Sequence, residues 1–158
     1  MSDSPQLTSD ELKTWRAFAT AAHLFFEHLD RELQQDAGMP YAYYEVLARL
    51  AESPEKAVRM GDLAECLRWS PSRLSHAVER LEKAGWVRRL MCPTDRRGCY
   101  AALTDDGAAA LETAAPGHVE TVRRHLFDEL TPEQVAQLGE ISESVVRHLS
   151  VLDAHAEG

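Results

Sequence analysis

Ser70-Pro71-Ser72-Arg73-Leu74-Ser75-His76-Ala77-Val78-Glu79-Arg80-Leu81-Glu82-Lys83-Ala84-Gly85, running on into Trp86-Val87-Arg88-Arg89-Leu90, is the stretch whose reading decides the fold. A serine with proline behind it suits a helix start: its hydroxyl accepts from an early backbone N–H, and proline has no N–H to leave unpaired. Leu74, Ala77, Val78, Leu81 and Ala84 then recur on one stripe, and Gly85 stops the helix. At 100° per residue, Ser72, Ser75, His76, Glu79 and Lys83 fall opposite that stripe, with Arg73 and Arg80 flanking them. The outward face therefore offers hydroxyls, an imidazole and guanidinium groups near the helix N-terminus.

Immediately upstream, Met60 to Arg68 reads as a short helix with Leu63, Ala64 and Leu67 inward, joined by a tight Arg68-Trp69 connection. Two short helices across a three- or four-residue turn form a helix-turn-helix, whose second helix places its N-terminal residues against base edges in a major groove. Downstream, Trp86–Leu90 and Cys99–Leu103 read as paired strands around a polar turn containing Pro93, Asp95, Arg96, Arg97 and Gly98. Such a hairpin is a wing, and arginine at its tip suits a narrow minor groove. Asp95 accepts from Arg97 and restrains it, while Arg88 and Arg89 at the hairpin base are expected phosphate clamps. Glu79 repels phosphate; it either pairs with Lys83 or accepts from a cytosine amino group.

Charge and the flanking sequence agree. The chain has 158 residues and a net charge of −9, which taken whole argues against nucleic acid. Between Arg59 and Tyr100, however, nine basic residues face five acids, a net of +4, so the other 116 residues carry −13. Thr8-Ser9-Asp10-Glu11 is a capping box ahead of Leu12, Trp15, Phe18/Ala19, Ala22, Phe25/Phe26, Leu29 and Leu33, a long helix expected to end near Gly38. Tyr41 to Glu52 is a shorter helix. Thr104-Asp105-Asp106 starts another, in which Pro116 predicts a kink. Thr131-Pro132-Glu133-Gln134 is a second capping box before Val135, Leu138, Ile141, Val145/Val146, Leu149 and Leu152. The expected fold is mainly α with a small β-wing. It divides into an N-terminal arm (1–38), a winged helix-turn-helix (39–104) and C-terminal helices (105–158).

Leu63-Ala64-Glu65 through Ser72, Val78-Glu79-Arg80-Leu81 through Arg88-Arg89, Pro93-Thr94-Asp95-Arg96-Arg97-Gly98, and Leu103-Thr104-Asp105-Asp106-Gly107 together resemble the MarR family, the regulators named for multiple antibiotic resistance. The arms match too, so the resemblance covers nearly the whole chain. It implies a triangular homodimer, with the arms as dimerisation helices, on a palindromic operator in double-stranded DNA, acting as a transcriptional regulator with repression the default. DNA-contacting residues are then Ser70, Ser72, Arg73, Ser75, His76, Arg80, Arg88, Arg89, Asp95, Arg96 and Arg97. The family also implies release by a small aromatic or anionic effector between arm and reading module, where Trp15, Arg16, Ala19, His23, Tyr41 and Tyr44 are candidates. Two departures stand out: Arg68 replaces a common glycine in the turn, and Gly61 a common Ser or Thr cap.

Composition narrows the alternatives. Hydrophobic residues at 44% and charged residues at 27% describe a globular chain. No apolar run reaches about 18 residues, so no membrane span is expected, and nothing at the N-terminus resembles a secretory signal. Cys66, Cys92 and Cys99 lack zinc-site spacing and suggest a reduced cytoplasmic protein. Cys66 is expected to pack in a helix and Cys99 to lie on a strand. Cys92, beside the basic wing, is the candidate for a rival redox-sensing regulator. The seven histidines show no paired ligand spacing; His118 and His125, seven apart, are the pair a zinc site would use, and the expectation is no metal and no cofactor. No nucleophile elbow, phosphate loop or H-E-x-x-H motif is present, which argues against an enzyme. A winged-helix scaffold that binds protein instead of DNA is the remaining rival.

Overall fold

The computed structural model of the chain describes residues 6–91 and 98–156, and it divides into two compact units, 1–119 and 120–158. In the first unit the order is α1 (Ser9–Ala37), α2 (Tyr41–Glu52), β1 (Ala57–Arg59), α3 (Met60–Leu67), α4 (Pro71–Lys83), β2 (Val87–Met91), β3 (Cys99–Leu103) and the first part of α5 (Asp105–His125). The second unit holds the end of α5, a single 3-10 turn (Phe127–Glu129) and α6 (Pro132–Ala156). Mainly α with a small wing is the architecture found.

The local signals explain the boundaries. Thr8 accepts from Glu11 N–H at 3.2 Å, and the Glu11 carboxylate accepts from Thr8 N–H at 2.7 Å, so the capping box starts α1 as expected. The Thr8 N–H and the Thr8 hydroxyl, both donating to that carboxylate, hold the Glu11 carboxyl below its ordinary range. Gly38 closes α1 in the left-handed region at φ 62°, where a side chain would be strained. Pro40 gives α2 no side-chain cap, but Asp30 of α1 accepts from Tyr41 N–H at 2.8 Å and ties the two helices together. The Thr131 capping box also forms, with Thr131 N–H donating to Gln134 Oε1 at 2.9 Å. Helix α5 continues through Pro116.

The core of the first unit gathers Leu29 and Leu33 of α1, Val46, Leu47 and Leu50 of α2, Leu63 of α3, and Leu74, Val78 and Leu81 of α4. Each such side chain removed from water contributes about 1.5–3 kcal/mol. Ala84 lies outside the core, because it caps α4 where the chain already turns away, and it is exposed. The sheet has a strand that the sequence reading lacked: β1 pairs with β3, giving the antiparallel order β1-β3-β2. Three residues are too few to show a two-residue period.

The start of α5 is bolted to the exit of α4. Thr104 Oγ1 donates to Gly85 O at 2.7 Å and accepts from Gly107 N–H at 3.0 Å. A Cβ on Gly107 would meet Trp86 O at 2.0 Å, so only glycine permits this approach.

Candidate nucleic-acid interface

Helix α4 begins as its residues dictate. Ser70 Oγ accepts from Arg73 N–H at 3.2 Å, and Pro71 occupies the first turn. With Leu74, Ala77, Val78 and Leu81 buried, Ser72, Arg73, Ser75, His76, Glu79, Arg80 and Lys83 all face solvent along one outward surface. Glu79 pairs with Lys83 at 2.7 Å, which holds its carboxyl below the usual range. Of the two roles open to Glu79, the pairing is the one formed here.

Of the two departures noted above, Arg68 lies in the turn ahead of α4 and Gly61 does not. Arg68 sits at φ 55°, a conformation that costs a non-glycine residue about 1 kcal/mol, and its N–H closes onto Glu65 O at 3.1 Å. Gly61 is not a cap: Arg59 takes that position, and Gly61 lies inside the first turn of α3. Behind the turn Trp69 is almost fully covered, and the Arg73 guanidinium lies 4.1 Å from the centre of its ring.

At the hairpin base Arg88 is exposed, whereas Arg89 is engaged within the fold. Its Nη1 donates to Glu82 Oε2 at 2.7 Å, and its Nη2 to Ser75 O at 3.0 Å and Ser75 Oγ at 3.3 Å. Glu82 Oε1 also accepts from Arg89 N–H at 3.0 Å. Arg89 thus fastens β2 to α4, a bracing role that the sequence reading missed. Glu82 seven residues before an arginine across a glycine turn is the signal that would have found it. Asp95, Arg96 and Arg97 of the wing tip, and Cys92, lie outside the described residues.

The effector candidates separate into two places. Tyr41 and Tyr44 of α2 pack against His118 of α5, with ring centroids 6.1 and 4.2 Å away, and Phe26 of α1 meets Tyr41 at 5.8 Å. Burial pushes the Tyr41 hydroxyl up to about 12 and raises Tyr44. It lowers His118, whose Nδ1 is buried without a hydrogen-bond partner. Trp15 and Arg16 are exposed on α1, about 16 Å along its axis from Phe26 at 1.5 Å per residue. His23 and Ala19 lie between, His23 exposed with Glu27 at 3.9 Å. The sequence reading counted His118 among the seven histidines but did not place it beside Tyr41 and Tyr44, because the return of α5 onto α2 is not visible in the sequence.

Cys66 is exposed on α3 instead of packed, since it lies roughly 110° round the helix from the centre of the buried Leu63–Ala64 edge, and Cys99 is half-buried on β3 as expected. Among the described residues no three potential ligands cluster to hold a metal. No described helix is long and apolar enough to cross a membrane.

Comparison with known proteins decides the family. A family model described as MarR family matches residues 37–98. A MarR family transcriptional regulator from Streptomyces coelicolor, solved in complex with DNA, is 52% identical, with 94% of this chain and 93% of that one covered at a TM-score of 0.90. The chain belongs to the MarR family. AbsC, another MarR family regulator from Streptomyces coelicolor, is 38% identical over 93% of this chain and 99% of its own, at a TM-score of 0.88. The regulator PecS of Dickeya dadantii is 30% identical over 107 residues, 67% of this chain and 64% of PecS, so the match spans just under two thirds of that relative. This MarR-family chain is therefore a transcriptional regulator with a winged helix, not an enzyme.

Proposed function

We propose that the protein is a homodimeric repressor that reads a palindromic operator. The observation that carries this is the outward face of α4, an unburied row of hydroxyl, imidazole and guanidinium groups on a helix with a fixed N-terminus. Ser72, Arg73, Ser75 and His76 read base edges, with Ser70 fixing the helix start and Arg80 reaching the backbone. Arg88 meets phosphate at the hairpin base, where Arg89 sets the wing against α4. At the tip, Arg96 and Arg97 enter the minor groove and Asp95 restrains Arg97.

Dimerisation is supported by apolar surface that each helix leaves uncovered: Trp15 at 56% and Phe18 at 61% on α1, Ile141 at 62% and Val146 at 59% on α6. Monomers rarely expose such rows. A twofold copy covers them and sets two recognition helices about 34 Å apart, one helical turn of DNA. Residues 1–38 and 105–158 are then dimerisation arms around the reading module 39–104. A small aromatic or anionic effector that binds one spacing of the two helices better than the other would release the operator. Its supporting feature is the half-buried Tyr41–Tyr44–His118 ring cluster.

Gel-shift titration against the DNA upstream of the protein's own gene tests the reading. Two protomers per duplex and competition by that duplex over random sequence are expected. Arg97→Ala weakens binding to every sequence, whereas Arg73→Ala also relaxes base preference. Equal affinity for random DNA overturns the proposal.

A further inference from the structure

Arg73 is exposed, yet its guanidinium is seated over a tryptophan that is itself 9% exposed. Trp69 cannot swing away easily. Its backbone N–H is closed onto Ala64 O at 2.9 Å, and it joins two helices anchored in the core by Leu63 and Ala64 on one side and Leu74, Ala77, Val78 and Leu81 on the other. From α2, the half-buried Glu45 lies within electrostatic reach of Arg73. Arg73 therefore has an indole beneath it and a carboxylate within electrostatic reach. We propose that Trp69 is a positioning residue for operator reading: its indole carries Arg73 in one orientation and so sets which base pair in each half-site is discriminated.

The chemistry of the two groups supports this. A guanidinium is flat, with its five N–H donors in the plane, so stacking on the face leaves the edge that pairs bidentately with guanine O6 and N7. A free arginine surrenders considerable rotamer freedom on docking, and a stacked one has surrendered much of it already. Lysine carries the same charge but has neither the plane nor the fork. The spacing is built in as well, because positions 69 and 73 stand one helical turn apart across the Ser70 cap.

This rests on the reading of α4 as the helix in the groove, and the test separates the two. Full-length wild-type protein is first used to select a preferred site from a randomised duplex pool. Binding to that site, to its single-position variants and to an unrelated duplex is then measured for Trp69→Leu, Trp69→Phe and Arg73→Lys. Trp69→Leu is expected to lose about tenfold discrimination or more at one symmetric pair of positions, while its affinity for the unrelated duplex stays within about twofold. Trp69→Phe keeps an aromatic face and retains most of the preference. Arg73→Lys, a surface change that leaves the core alone, loses preference at the same positions. Unchanged discrimination in Trp69→Leu overturns the role of Trp69, and so does a loss spread evenly over all positions. Failure of the wild type to select any site overturns the DNA reading beneath it.

Discussion

Removal of Arg89 is the most informative perturbation of the fold. Its side chain makes three hydrogen bonds, to the Glu82 carboxylate at 2.7 Å and to Ser75 O and Oγ at 3.0 and 3.3 Å. Both ion-pair partners are about 30% exposed. That places the pair between an exposed bridge, about 0.2–1 kcal/mol, and a buried one, about 3–5 kcal/mol when one partner is removed. Arg89→Ala is therefore expected to cost about 2 kcal/mol. Glu82 keeps its bond from residue 89 N–H, so its carboxylate is not wholly abandoned. For a chain of this size the loss lowers Tm by about 4–8 °C, read by differential scanning calorimetry at one fixed protomer concentration. Lys83→Ala is the control: it breaks an exposed i,i+4 pair and is expected to cost less than about 0.5 kcal/mol. With the brace gone the wing loses its fixed angle to α4, and affinity for every DNA sequence falls together. An Arg89→Ala protein as stable as the Lys83→Ala control would refute the bracing argument.

Three further perturbations follow from single contacts. Gly107→Ala, which drives a Cβ into Trp86 O, is expected to cost about 3 kcal/mol or more, shown by early loss of the urea transition. Ser70→Ala removes the α4 cap and costs about 1 kcal/mol by chemical denaturation, with little change if Ser70 is replaced by Asp. His118 has its folded pKa lowered by burial, so the unfolded chain binds the proton more readily; stability is full above about pH 6.5 and declines as pH falls through the folded value. His118→Gln should flatten that decline in pH-dependent unfolding, and an unchanged slope would show that His118 is not its source.

Local chemistry was legible where one or two neighbouring residues set the geometry. Thr8 with Glu11, Gly38, Ser70 with Pro71, and Thr131 with Gln134 mark helix ends at which the structure forms the expected bonds. The stripe of α4 was legible for the same reason, except at Ala84, where periodicity continues past the point at which the backbone departs. Long-range pairings were not visible. β1 owes its existence to β3, more than forty residues away, and the Tyr44–His118 contact depends on how α5 returns to α2. Arg89 shows the limit at the site itself: sequence identifies a cation beside a basic hairpin, but Ser75 and Glu82 claim its donors only once α4 and β2 are folded together.

On the proposed function, two copies of a cationic helix and hairpin grip one duplex. Fluorescence anisotropy of a labelled operator duplex, titrated with full-length protein from 50 to 300 mM salt, measures it directly. On that reading, Arg80, Arg88, Arg96 and Arg97 in each of two protomers would supply about eight phosphate or groove contacts, which predicts a slope of log affinity against log salt of about −7. A slope flatter than about −2, or saturation at one protomer per duplex, would contradict it.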